Sequence, residues 1–390
     1  MMPSRPSDRW RWLPGLLKAA VVIFFVAGVA RYADSTTGLS SLLRFGEAFA
    51  ERRLPALADV PLATARGDGY DGQFYAQLAV NPDVRDPAVQ HALDNPPYRA
   101  RRILLPWLAH VAGFGSAHRA VQAYAAMNLV AWTALGWLLH RRTAAQGVRG
   151  ALVWCAAMLA SGTLESVRLG LVDLPATVLW LVAALFWPDP RRQRAFTAGA
   201  WLAAAALSRE TFAAAITMFG AARNAAEPRW RQRSLAALLA LAPLGGWLIY
   251  VHLQVPRGDA GAVGNFDWPG VAIARHLYHC TSELAGDDAR WRHVFGPLAI
   301  VALVYQSYVV LRASVREATP MLLGAAPFAI LLWLLGDKVW EGYTAVTRNC
   351  LPLTLAYLLW LPRDRHFWWR WIVANLALPH ALLQFWSEAG

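Results

Sequence analysis

Charge is the scarcest ingredient of this chain. Of its 390 residues 16% are Asp, Glu, Lys or Arg, against 57% hydrophobic. Soluble domains carry about 25% charged residues, so a soluble class is excluded. Cysteine is nearly absent: Cys155, Cys280 and Cys350 lie far apart and specify neither a disulfide framework nor a cysteine-based metal motif. The short period-two alternation of an outer-membrane barrel is missing. No internal repeat is visible, which leaves a transporter built from inverted repeats without positive support.

What is present is a series of apolar runs near the length that crosses a bilayer. The class read from them is an all-α polytopic membrane protein, a single transmembrane domain over 1–390. Spans are expected at 13–31, 116–139, 151–164, 170–187, 195–208, 210–222, 234–254, 294–312, 319–336, 347–361 and 367–386. Several are short for a full crossing, which is tolerated where a helix lines a cavity. Tryptophan is common, at 20 residues, and many end apolar runs (Trp10, Trp12, Trp187, Trp268, Trp368, Trp369, Trp371), as interfacial belts do. The first run follows Arg5, Arg9 and Arg11. A cleaved signal peptide is the rival reading, because Ala-Gly-Val-Ala precedes Arg31. The run is long for a signal core and reads as an uncleaved span.

The net charge of +12 tests this map. With the N-terminus inside, the arginines cluster in segments on the cytoplasmic side, at 5–11, 141–149, 191–194, 223–233, 312–316 and 363–370. The short outward connections hold Arg168, Arg209, Lys338 and Arg348. That asymmetry is the positive-inside rule, so the basic excess is an orientation signal and a nucleic-acid partner is excluded. Most acidic residues fall outside; Asp173 lies within a span. Two long external segments stand out, 31–115 and 255–293, and loops of this length are usually functional or disordered. The first contains LSSLLRFGEAFAERRL (39–54), an amphipathic pattern expected on the membrane surface. It also contains ILLPWLAHVAGF (103–114), too short to span and read as a re-entrant or surface helix.

On this map the unusual polar residues share one side: Asp68 and Asp71 in the first loop, Glu165 and Arg168, Arg209 and Glu210, then Asp337, Lys338, Glu341 and Arg348. Ionisable groups at membrane depth are costly and tend to face cavities, so the pattern suggests an external polar cleft. Each has a plain structural reading beside the functional one. Asp71 would cap the helix that follows it, accepting from the amides of residues 73–74, and a capping carboxylate is a weaker base. Arg209 and Glu210 would form one ion pair holding two spans. Glu165 and Arg168 would pair at i, i+3, Arg348 would snorkel to the interface, and Asp173 would cap its own span. His276, His279 and Cys280 look like metal ligands, but their spacing is incomplete for a zinc site and no metal is assigned.

Two loop stretches carry a resemblance. DGQFYAQLA (71–79) and DNPPYRARRILLPWLA (94–109), with LGLVDLPATVLWLVAAL (169–185) and LSRET (207–211), resemble bacterial integral membrane proteins linked to cell-surface glycopolymer formation. These look like members of the GT-C superfamily of polyprenyl-phosphate-sugar-dependent glycosyltransferases, and the likeness covers the first half to two-thirds of the chain. The resemblance implies a GT-C-like bundle of about eleven transmembrane helices in the bacterial inner membrane, N-terminus cytoplasmic and active face periplasmic. It implies an essential acid in the first long external loop, for which Asp71 is the best match and Asp68 the second. The donor is then a sugar on a polyprenyl phosphate reaching the site from the bilayer, and the acceptor a cell-surface glycan or lipid. No cofactor is implied. The chain departs from the oligosaccharyltransferase pattern in having no evident metal-binding cluster and no large soluble external domain.

The chemistry fits the residues independently. Attack on C1 needs a base near the acceptor hydroxyl, and a leaving phosphate needs cations. The assignment is Asp71 as base, with Arg209, Arg168, Arg348 and Arg101 or Arg102 on the phosphate. Tyr70, Gln73, Tyr75, Tyr98, Glu165 and Glu210 are assigned to the substrate cleft, although interfacial anchoring explains the tyrosines equally well. A one-step displacement inverts the anomeric centre. Two rivals stand beside this reading. A flippase or transporter for lipid-linked saccharides needs charge in mid-membrane, where Asp173 alone qualifies. A non-catalytic subunit of an export complex would leave the same groups as solvated scaffold.

Overall fold

The computed structural model describes residues 12–187, 192–221, 230–256, 264–284, 291–341 and 344–387. The chain is 78% helical and 3% strand, so the all-α class holds. The helix α1 (Leu13–Ala30) starts with Pro14 in its first turn, where a missing N–H costs nothing. Among the described residues three helices are long and apolar enough to cross a membrane: α1, Trp230–Gln254 and the 294–317 part of Trp291–Glu317. A fourth is added if the bent pair of Ala117–Met158 with Ser161–Arg168 counts as one span.

The remaining apolar runs form shorter helices inside the bundle. The first connection holds α2 (Gly72–Val80), α3 (Pro87–Ala92), α4 (Pro96–Arg99) and α5 (Leu104–Gly113). Then come α6 (Ala117–Thr143), α7 (Gly147–Met158), α8 (Ser161–Arg168), α9 (Asp173–Phe186) and α10 (Arg192–Ser208). The run expected at 210–222 is a 3-10 segment, Glu210–Gly220, packed on α10 and on α14 (Pro320–Leu334). Between them lie α11 (Trp230–Gln254), α12 (Val271–Leu284) and α13 (Trp291–Glu317). The run at 347–361 breaks at Cys350: α15 (Asp337–Trp340) and α16 (Thr344–Asn349) precede α17 (Leu351–Trp360). The last run divides into α18 (Phe367–Ala374) and α19 (Leu378–Ser387).

The first connection is a packed cap, and one expectation about it fails. Residues 39–54 form no amphipathic surface helix. They make short 3-10 turns at Ser40–Leu43 and Glu47–Arg52, flanking β1 (Phe45–Gly46). This strand pairs in parallel with β2 (Thr64–Ala65). Leu42, Leu43 and Phe45, the apolar residues a surface helix would lay on a membrane, are buried in the protein instead. Phe45, Tyr75, Leu78 and Val89 share a core with Val121 and Tyr124 of α6 and Val251 of α11. Each large side chain buried there contributes roughly 1.5–3 kcal/mol, which fixes the cap on the bundle. A larger core fills the space between α6, α7, α9, α10, α13, α14 and α17.

Candidate functional site

Asp71 occupies the N-cap position of α2, but its side chain caps nothing. Its backbone is already helical, and its carbonyl accepts from the Phe74 N–H at 3.1 Å. The carboxylate accepts instead from Arg99 Nη2 at 2.8 Å. Arg99 is delivered by α4, a single turn started by the Asn95 side chain, which accepts from the Tyr98 N–H, and by Pro96. Arg99 also forks onto Asp94, Nε to Oδ1 at 2.7 Å and Nη2 to Oδ2 at 2.6 Å. Its guanidinium lies over Phe74 at 4.9 Å and Tyr98 at 5.3 Å. Three residues on, Arg102 is bidentate to Glu210 at 2.9 and 3.0 Å. It also donates to the Tyr75 and Tyr98 hydroxyls at 2.7 and 2.6 Å.

A second group of charges adjoins the first. Asp173, in the first turn of α9, pairs with Arg209, and its other oxygen lies 3.9 Å from Arg348. Arg209 also donates to the Asn349 side chain. Arg348 donates to the Tyr70 hydroxyl at 2.9 Å, so the residue before Asp71 ties α16 to the cap. Glu165 and Arg168 pair within α8 at 2.9 Å, both buried. Two glycines set these distances. A Cβ on Gly72 would sit 2.3 Å from the Leu169 carbonyl oxygen, and one on Gly162 would sit 2.6 Å from that of Thr347. The first contact brings α2 against the end of α8; the second packs α8 on α16.

The electrostatics follow from burial and pairing. Burial works to raise the Asp71 carboxyl, but the charge and hydrogen bond of Arg99, with Arg348 and Arg102 beyond it, outweigh burial and hold it at about 2. Burial raises the Tyr70 hydroxyl, and Arg348 offsets part of that rise. The cations are the deep members: Arg99, Arg102, Arg168 and Arg348 are all buried. Asp71 and Asp94 open outward, their side chains 33% and 32% exposed, while Glu165 and Asp173 are buried. Arg348 is the least compensated cation, because its nearest carboxylate is 3.9 Å away and its Nε makes no hydrogen bond.

The structure therefore brings together Asp71, Tyr70, Tyr75, Tyr98, Arg102, Glu165, Arg168, Arg209, Glu210 and Arg348. Several assigned roles change. Tyr75 is fully buried and holds arginines, so it offers no face to a sugar. Gln73 is also fully buried, and its amide is spent on the cap: the oxygen accepts from the Gly46 N–H, and the nitrogen donates to the Asp68 carbonyl. Asp68 is exposed and takes part through that carbonyl. Arg101 is half-buried and lies out of phase with Arg99 and Arg102 on the turn. Arg209 and Glu210 do not hold each other; they pair with Asp173 and Arg102. Arg348 does not snorkel, because it is buried against Tyr70. Asp337 turns to Arg275.

Sequence reasoning missed Arg99, Asp94 and Asn349. The signal for Arg99 was its spacing of three from Arg102 within PPYRARR, which puts both on one face of a turn. His276 lies 3.6 Å from Cys280, while His279 faces Glu283. Among the described residues no three His, Cys, Asp or Glu side chains are grouped to hold a metal ion. No protein-family model, no curated protein and no solved structure matches this chain.

Proposed function

We propose that the protein is a membrane glycosyltransferase of GT-C type, moving a sugar from a polyprenyl phosphate to a glycan or lipid acceptor on the periplasmic face. The observation that carries this reading is the meeting of Asp71 and Arg348 at Tyr70. A partly open carboxylate stands beside a buried arginine that lacks a full counterion. The acceptor hydroxyl oxygen forms the new bond to C1, and its proton passes to Asp71. The C1–O bond to the donor breaks, and its electron pair leaves with the phosphate, which Arg348 receives. Attack from the face opposite the leaving group inverts C1. Asp71 at about 2 is a weak base while Arg99 and Arg348 both act on it. A donor phosphate on Arg348 cancels part of that positive field, so the proton affinity of Asp71 rises when the donor is in place.

The topology of about eleven crossings, with this cluster at the outer end, belongs to the same reading. It is supported by the arginine asymmetry of the sequence. Transport of a lipid-linked saccharide is the second reading, favoured by the buried Arg209–Asp173 pair, because charge at membrane depth marks transport paths. The deciding experiment supplies membranes containing the wild type or Asp71→Asn with a panel of polyprenyl-phosphate sugars and measures released lipid phosphate. Turnover that survives Asp71→Asn removes Asp71 as the base. No turnover by the wild type with any donor turns the assignment to transport.

A further inference from the structure

A second charged site lies at the other end of α17. That helix begins beside Asn349, which binds Arg209, and ends at Trp360, about 15 Å further along at 1.5 Å per residue. There the end of α13, the end of α17 and the start of α18 enclose a cavity of about 300 Å³. Its lining includes Arg312, Arg316, Arg365 and Arg370 together with Tyr308 and Trp360. That volume is at the lower end of ligand pockets, which run roughly 300–1,000 Å³.

Two acids face the four arginines of this cavity. Glu317 accepts from the Trp360 indole N–H at 2.6 Å. Asp364 accepts from Arg370 at 3.0 Å and from the His366 backbone N–H at 2.7 Å. Arg312 donates to a neutral partner, the Tyr308 hydroxyl, at 2.8 Å, and Arg365 donates to the His366 ring at 2.9 Å. Arg316 has no acidic partner among the described residues. Arg370 lies over the Trp360 and Trp369 rings at 5.6 and 5.4 Å, and its Nε is buried without a hydrogen bond. The cavity thus holds uncompensated guanidinium groups, a buried orphan donor and aromatic walls. Guanidinium forks match phosphate oxygens in geometry and charge.

We infer that this cavity between α13, α17 and α18 binds a phosphate group, carried by an anionic lipid headgroup or by a soluble phosphate compound. Basic pockets between membrane helices recognise such headgroups. The inference does not depend on the glycosyltransferase reading, because it rests on different residues at the opposite end of α17.

The test uses the full-length protein in nanodiscs and in detergent. Phosphatidylglycerol retained after delipidation is counted by native mass spectrometry against phosphatidylcholine, and inorganic phosphate binding is titrated separately. The comparison runs between wild type, Arg312→Gln/Arg316→Gln, and Arg141→Gln/Arg142→Gln. The last pair removes equal charge from the exposed last turn of α6. Arg312 and Arg316 are exposed, so their variants are expected to fold. Retention of phosphatidylglycerol that falls about 30-fold in the Arg312/Arg316 variant alone assigns the site to a lipid; the figure is two surface charge contacts of about 1 kcal/mol each. Inorganic phosphate binding with the same variant dependence, and no lipid preference, assigns it to a soluble phosphate. Equal losses in both variants, or no phosphate-bearing ligand retained by the wild type, overturn the inference.

Discussion

Replacing Arg99 with Gln tests the organisation of the candidate site most directly. Arg99 is 6% exposed and is the shared partner of Asp71 and Asp94. Its loss removes the one cation the two carboxylates share and leaves Asp71 only the more distant charges of Arg348 and Arg102. Breaking a buried ion pair costs roughly 3–5 kcal/mol. Here both acids are a third open to water, so screening places the cost at the low end, about 3 kcal/mol. Asp71→Asn alone leaves Arg99 with Asp94 and costs about 1 kcal/mol. If the two residues act through one another, the double variant costs less than the sum, by about 1 kcal/mol. The readout is unfolding by detergent titration, followed by modification of the buried free thiols Cys155, Cys280 and Cys350. The pH dependence adds a sign. Because the folded Asp71 carboxyl is depressed to about 2, its contribution is complete above the ordinary carboxylate value and is lost as pH falls from about 4 towards 2. That loss should shrink in Arg99→Gln, where only Arg348 and Arg102 still hold the carboxyl down. Additive single costs, agreeing within about 0.5 kcal/mol, together with an unchanged pH profile would refute the pairing.

Other outcomes follow from the same geometry. Gly72→Ala places a Cβ 2.3 Å from the Leu169 oxygen, so it should destabilise by about 1–3 kcal/mol, read by thiol exposure, and on the proposed function it should also abolish lipid-phosphate release. If the protein is the proposed transferase, Arg348→Lys keeps the charge but loses the fork on the departing phosphate, and kcat should fall about tenfold. Thiol reagents applied from outside should label Trp268→Cys, which is 80% exposed, and should miss Arg142→Cys. Labelling of both positions from one side would remove the assigned orientation.

Much of the chain was legible before any coordinate. The scarcity of charge and the apolar runs set the helical class, because backbone polar groups in lipid must be satisfied within a helix. The arginine clusters supplied an expected orientation. The acid between Gly69 and Gly72 marked the candidate site, because charge at membrane depth is costly and tends to face cavities. The periodicity failed at 39–54, where an amphipathic pattern folds into 3-10 turns and a two-residue strand. Burial of Leu42, Leu43 and Phe45 against α2 and α6 overrode the local preference of that segment.

Partnership is what tertiary structure alone decided. Sequence neighbours such as Arg209 and Glu210 are natural pairs on paper, yet they bind Asp173 and Arg102, which approach from other helices. Asp71 reads as a cap until the fold supplies Arg99, 28 residues away, and a charged donor then outcompetes the amides of its own helix. Composition and spacing fix which charges exist. Which of them meet depends on close helix contacts, such as those at Gly72 and Gly162, that no local pattern encodes.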